Sequence, residues 1–244
     1  MNLDWVIETH DEVQSTQDIV MDMARSGQVE GYVVQAHVQS GGRGRHGRKW
    51  DSLPGNLFLS VLLRPPCQAR DIGQLALIAG LALVEAIKNL SCGDLDEVLS
   101  LKWPNDVLIN GDKCAGLLLE TELAQDGSMH WAVVGVGVNV SAAPEGLGVA
   151  LNDYTKEGIK ADILRDRFLE IMDAHYVFWI ENGFDELRQS WLKHAHEQGQ
   201  NMQVKIGTHL ENGFFHDIDA FGNLRLYDDQ HRLKTVSSGE VYLY

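Results

Sequence analysis

Cations are scarce in this chain. Its 244 residues carry 20 Lys and Arg against 35 Asp and Glu, a formal charge of −15, and the pI lies near 5.0. A phosphate backbone requires a broad basic face, so the charge argues against nucleic acid as a main partner. Cysteine is scarce too. Cys67, Cys92 and Cys114 are odd in number and show no CxxC spacing, which indicates neither a disulfide framework nor a thiolate zinc site. Long apolar runs are missing: the longest uncharged one, Ile72–Val84, has 13 residues, short of the ~20 that span a bilayer. The opening segment, Met1-Asn2-Leu3-Asp4-Trp5, has no basic region followed by an apolar one, so no signal peptide is read there. The expectation is a soluble, cytoplasmic protein of a reducing compartment, with no membrane and no nucleic-acid partner.

Against this acidic background one stretch stands out. Residues 39–50 read Gln-Ser-Gly-Gly-Arg-Gly-Arg-His-Gly-Arg-Lys-Trp, with Arg43, Arg45, Arg48 and Lys49 interleaved with Gly42, Gly44 and Gly47. Glycine lets a backbone approach a ligand closely, and the arginine fork grips phosphate or carboxylate oxygens in pairs. One basic loop suits a small anion. A solvated Arg/Gly loop is the bland alternative.

The glycines also match GxGxxG. A dinucleotide fold requires a helix directly after them, but Lys49-Trp50-Asp51-Ser52-Leu53-Pro54-Gly55-Asn56 is turn chemistry. A P-loop fails as well, because Gly47 precedes Arg48-Lys49 and not a Lys-Ser or Lys-Thr pair.

The second motif is Lys102-Trp103-Pro104-Asn105-Asp106. Pro104 holds Trp103 extended and sets a turn, and Lys102, Asn105 and Asp106 offer a cation, an amide and a carboxylate. Taken alone, Pro-Asn-Asp is ordinary turn chemistry. Gly135, Gly137 and Asn139 alternate in an apolar strand, which signals either close approach of a ligand or another backbone, or a bulge or tight strand packing. The ten histidines show no metal-ligand spacing, and His194 and His196 are expected at the surface. Trp50 and Trp103 suit a core anchor as well as a ligand wall.

Around these motifs the pattern predicts alternating elements. Ser15-Thr16-Gln17-Asp18 reads as a hydroxyl-capped helix start, with the helix stopping at Gly27. Strands are predicted at Tyr32–Val38 and Leu57–Leu63, and a largely buried helix at Ile72–Leu90. Four more strands follow: Leu99–Leu101, Val107–Ile109, Ala115–Leu123 and Met129–Val140. The turns Asn110-Gly111 and Asp126-Gly127 favour antiparallel pairing. Helices are predicted at Ala161–Glu181 and Phe184–His196. From Gln200 short strands (Met202–Ile206, Gly213–Ile218, Leu224–Tyr227, Val236–Leu243) have the rhythm of a small β-barrel, with Gln198-Gly199-Gln200 as boundary.

The ordered set Ser15-Thr16, Gln39, Gly42–Trp50, Lys102–Asp106, Lys113–Gly116 and Gly135–Asn139 resembles the catalytic domain of biotin–protein ligases, over residues 12–140. The C-terminal β segment resembles that family's SH3-like domain. The resemblance implies an α+β fold: a class II aminoacyl-tRNA synthetase-like mixed sheet flanked by helices in residues 1–198, then an SH3-like β-barrel in 199–244. It implies two steps: biotin's carboxylate attacks the α-phosphate of ATP, and an acceptor lysine of a biotin carrier domain, as in acetyl-CoA carboxylase, then attacks the biotinyl-5′-AMP. By the same resemblance Ser15, Thr16, Gln17, Gln39, Arg43, Gly44, Arg45, Lys113 and Gly116 hold biotin. Arg45, Arg48, Lys102, Asn105, Lys113 and Asn139 hold ATP. Lys113, Arg45 and Asp106 carry the chemistry, with Asp106 supporting Mg2+ or positioning the acceptor lysine. Two anions must meet in the first step, so cations nearby are physically sensible.

Gln17 stands where the family often has Asn, and His46 where Arg is common. Too few residues precede Ser15 for the DNA-binding winged helix of some members, so repressor function is not expected. A homodimer through an exposed sheet edge and a monomer stay equally open. Three rivals differ in a testable way: a lipoate–protein ligase of the same superfamily, a non-catalytic sensor of biotin or its adenylate, and a nucleic-acid module, which the charge disfavours.

Overall fold

A computed structural model describes residues 3–243. A seven-stranded mixed sheet comes first. Its strands are β1 (Val6–Val13), β2 (Tyr32–Gln39), β3 (Leu57–Leu63), β4 (Leu99–Lys102), β5 (Asp106–Ile109), β6 (Asp112–Leu123) and β7 (Met129–Val138), in the order β1-β2-β3-β7-β6-β5-β4. β1 and β2 are parallel, linked across α1 (Thr16–Arg25); the other neighbours are antiparallel.

The sheet's alternation of side chains splits its residues between two faces. Leu57, Leu59, Val61 and Leu63 of β3, with Val134, Val136 and Val138 of β7, pack with α2 (Gly73–Leu90) and α3 (Ala161–Asn182) in the main core. Leu62 and Val133 point the other way, onto Val20 and Ala24 of α1. α2 is apolar around nearly its whole circumference, with Leu75, Ile78, Leu81, Leu83 and Ile87 fully buried, as a central helix must be. Truncating one such leucine to alanine costs about 2–5 kcal/mol.

After α4 (Asp185–Leu192) comes a five-stranded antiparallel sheet. Its strands are β8 (Asn201–Ile206), β9 (His209–Ile218), β10 (Leu224–Tyr227), β11 (Leu233–Val236) and β12 (Glu240–Leu243), in the order β11-β10-β9-β8-β12. It shares the main core through Met202, Val204, Phe215 and Ile218. The buried Trp103 indole donates to Gly222 O at 2.9 Å, and Gln74 Nε2 to Ala220 O at 2.8 Å. Trp103 is thus a core anchor between the two sheets.

Several expectations need correction. β1 was not predicted: Glu8, Asp11 and Glu12 break its apolar alternation, and charge of this kind is how sheet edges resist pairing with other chains. Val236–Leu243 divides into β11 and β12 around the Ser237–Gly239 turn. The helix expected to run to His196 stops at Leu192. His196 is buried, edge-on to Phe215 at 5.8 Å between ring centroids, and burial, helped by nearby Lys102, depresses its pKa to about 4. Gly135 and Gly137 lie in regular ladder, pairing with Ser60 and Phe58 of β3, so the bulge alternative falls.

Candidate active site

The alternation that fills one face of the sheet leaves a hollow in the other. On the α1 face, β3 presents Ser60, β7 presents Gly135 and Gly137, and β6 presents Gly116. Ser60 pairs with Gly135, and Gly116 with Gly137, so two adjacent rows of small residues run across the sheet. A cavity of about 260 Å3 lies over them. Neighbouring side chains fill the space a Cβ would take: one on Gly135 would stand 2.5 Å from Gln17 Oε1, and one on Gly137 2.6 Å from the Trp50 ring.

One end of the cavity is polar and fully connected. Ser15 sits at the N-cap of α1 but makes no side-chain capping bond, contrary to the expected hydroxyl cap. The Thr16 amide donates instead to Gln39 Oε1 at 2.9 Å. Thr16 Oγ1 lies 2.9 Å from Ser60 Oγ, Ser60 donates to Gln17 Oε1 at 2.9 Å, and Gln17 Nε2 donates to Val133 O at 3.2 Å. All five side chains line the cavity, and Ser15, Thr16, Gln17 and Ser60 are buried.

The middle is cationic. Lys113 Nζ pairs with Asp106 Oδ1 at 2.6 Å, and Lys102 Nζ with Asp106 Oδ2 at 3.2 Å. The Arg/Gly loop closes over this region as a small hairpin: Trp50 N donates to Gly42 O, Gly44 N to Arg48 O, and Arg43 bridges Lys49. Its tip turns through His46 and Gly47, both at positive φ. Arg45 Nη1 donates to Asn105 Oδ1 at 3.2 Å and to Gly239 O at 3.1 Å. Burial lowers its pKa, with Asp106 opposing. Arg48 pairs with Glu240, and Arg43 with Asp18 at 2.7 Å and Glu120 at 3.1 Å.

The far end holds unpaired groups. Trp50 lies against Gly137 and Gly116 with Lys113 Nζ 5.4 Å from its ring centroid. Its Nε1 and Asn139 Oδ1 are both buried without a partner. Buried polar atoms are normally satisfied, so two orphans in one cavity wall are candidate partners for a polar ligand. Pro144 and Leu147 form the rim, on a segment held by Asn56, whose Oδ1 accepts from the amides of Val140, Ser141 and Ala142.

Ser15, Thr16, Gln17, Gln39, Arg43, Gly44, Arg45, Arg48, Asn105, Lys113, Gly116 and Asn139 therefore converge on one cavity. Lys102 and Asp106 stand behind it. Asp106 fits a metal ligand poorly, since each of its oxygens faces an ammonium group, and among the described residues no group of three His, Cys, Asp or Glu is placed to hold an ion. It fits an anchor that aims Lys113. Sequence reasoning missed Ser60, although it is the one polar residue in Leu-Phe-Leu-Ser-Val-Leu-Leu. It missed the Leu147 rim, which carries no motif.

A polar-ended cavity with a cationic middle under an Arg/Gly loop suits the joining of two anionic substrates. The chain belongs to the biotin/lipoate A/B protein ligase family, whose model matches residues 11–139. It is 34% identical to a biotin–[acetyl-CoA-carboxylase] ligase of Paracoccus denitrificans over 86% of this chain and 89% of that protein. It is likewise 34% identical to one from Mycobacterium tuberculosis, over 92% and 83%. A biotin protein ligase from Aquifex aeolicus, solved in complex with biotin and ATP, superposes with a TM-score of 0.81 at 27% identity, covering 98% of both chains.

Proposed function

We propose that this chain is an ATP-dependent biotin–protein ligase. It joins biotin and ATP into biotinyl-5′-AMP and pyrophosphate, then transfers the biotinyl group to a lysine of a carboxylase's biotin carrier domain. The observation that carries this reading is the order of chemistry along one cavity: polar end, cationic middle, orphaned polar atoms beyond. Biotin's ring head goes to Ser15, Thr16 and Gln39, and the nucleotide to Trp50 and Asn139. The carboxylate and α-phosphate then meet between Lys113 and Arg45, with Arg48 on the outer side.

In the first step a carboxylate oxygen forms a bond to the α-phosphorus and pyrophosphate leaves. Lys113, held by Asp106, offsets the repulsion between the two anions and the charge gathering at phosphorus. In the second step the neutral amine of the acceptor lysine attacks the acyl carbon, AMP leaves, and the amine's extra proton goes to solvent or base. The mixed anhydride is hydrolysed by water, and the closed Arg/Gly loop shields it. The family resemblance assigns residues 1–198 to a class II synthetase-like catalytic domain and 199–244 to an SH3-like one. The fold supports this with its mixed sheet followed by a five-stranded antiparallel one.

The test is exchange of labelled pyrophosphate into ATP with biotin, lipoate and octanoate in parallel. Exchange with biotin alone is expected. Exchange only with lipoate or octanoate transfers the chain to the sister specificity, and none with any acid leaves a binding protein.

A further inference from the structure

Ser60 lies at the centre of the polar end, and its hydroxyl has one proton to give. Gln17 settles where that proton goes. Val133 O accepts and cannot donate, so the Gln17 amide nitrogen must face it, as it does at 3.2 Å, which turns Oε1 toward Ser60. Ser60 therefore donates to Gln17, at 2.9 Å. Its oxygen is left as acceptor toward Thr16 Oγ1, 2.9 Å away. Thr16 also has one proton and two acceptors within reach, Ser60 Oγ and, at 3.2 Å, Gln39 Oε1. Gln39 Oε1 already accepts the Thr16 amide at 2.9 Å. The shorter contact to an otherwise proton-poor oxygen wins, and Thr16 gives its proton inward.

We infer that Ser60 is a positioning residue. The chain Thr16–Ser60–Gln17–Val133 commits the Thr16 proton away from the cavity, so Thr16 Oγ1 offers the ligand only lone pairs and selects a ring head bearing an N–H donor. Because Ser60 is 1% exposed and Gln17 4%, solvent cannot reorient the chain. Gly135 is part of the device, since any Cβ there meets Gln17 Oε1 at 2.5 Å. This inference rests on the ligase reading and deepens it.

The probes are biotin and its two cyclic-carbamate analogues, in each of which a ring oxygen replaces one ureido N–H. Binding is read by isothermal titration and KM by pyrophosphate exchange. The wild type is expected to bind at least one analogue about tenfold or more weaker than biotin, because an acceptor facing an acceptor is left unpaired. Ser60→Ala leaves the Thr16 proton shared between the ligand and Gln39 Oε1, which is 3.2 Å away and already accepts the Thr16 amide. It should shrink that preference to within about threefold and raise the KM for biotin while the KM for ATP stays put, whereas general loosening moves both. Gln17→Met, which breaks the chain at its other end, should do the same and stands in if Ser60→Ala fails to fold. Equal binding of biotin and both analogues by the wild type overturns the inference without any variant. So does an undiminished preference in a folded variant. No binding of biotin at all overturns the ligase reading instead.

Discussion

The two ends of the cavity are built differently. At the ring end Thr16, Ser60, Gln17 and Gln39 are joined in one hydrogen-bonded chain, and they sit on regular elements: α1, β3 and β2, with β7 accepting through Val133. At the nucleotide end Trp50 Nε1 and Asn139 Oδ1 lack partners, and the walls are loop segments, the Arg/Gly loop and the Leu147 rim. The first end is organised before ligand arrives, so its recognition costs little reordering. On the proposed reading, the second completes its hydrogen bonds with the nucleotide. Such a division suits a site whose intermediate must be held and later released.

The largest expected effect falls between the ends. Lys113→Ala removes the cation held at 2.6 Å by Asp106. It should slow pyrophosphate exchange by about 10²–10³-fold, in the range seen when one preorganised transition-state contact is deleted, with circular dichroism unchanged. Near-normal exchange would show that the cationic middle does not work as described. Next comes Gly137→Ala, whose Cβ would press to 2.6 Å on Trp50. Displacing the indole should raise the KM for ATP about tenfold, or ~1.4 kcal/mol, and leave the KM for biotin within twofold. If both rise together, the ends are one unit. Arg45→Gly should let the adenylate escape, read by mass spectrometry as biotin on lysines of a bystander protein at several times the wild-type level. Labelling confined to the acceptor would separate Arg45 from retention.

Two controls lie outside both ends. His196 sits at the seam between the sheets with its pKa depressed to about 4 by burial and by Lys102, against an unfolded value of ~6.5. Between those values the unfolded chain binds the extra proton, so stability rises with pH. Unfolding free energy should fall by up to about 2–3 kcal/mol from pH 7 to pH 4, and His196→Phe should flatten that slope. The smallest effect is Trp103→Phe, which leaves Gly222 O without its indole donor. It should cost about 1–2 kcal/mol in urea unfolding with both KM values intact, and a changed KM would tie the seam to the cavity.

Much of the site was legible because its chemistry is local. Gly42–Trp50 and Lys102–Asp106 carry charge and turn residues in short runs, and the structure brings them to one cavity. What was illegible depends on context. β1 reads as polar because, at the edge of the sheet, none of its residues is buried. Val236–Leu243 hides a turn at Gly239. His196 lies near the Gln198-Gly199-Gln200 boundary, yet Phe215 from a distant strand buries it.

The sequence by itself determined the family, the two motifs and the alternating small residues of β7, since these reside in the order of side chains along a strand or loop. Only the tertiary structure decided that Ser60 stands opposite Gly135 and Gly116 opposite Gly137. Strand register is set by packing across the sheet, so which small residues line up to open a cavity cannot be read from any one strand. The direction of a hydroxyl's proton is likewise a property of its neighbours, and here those neighbours come from α1, β3 and β7.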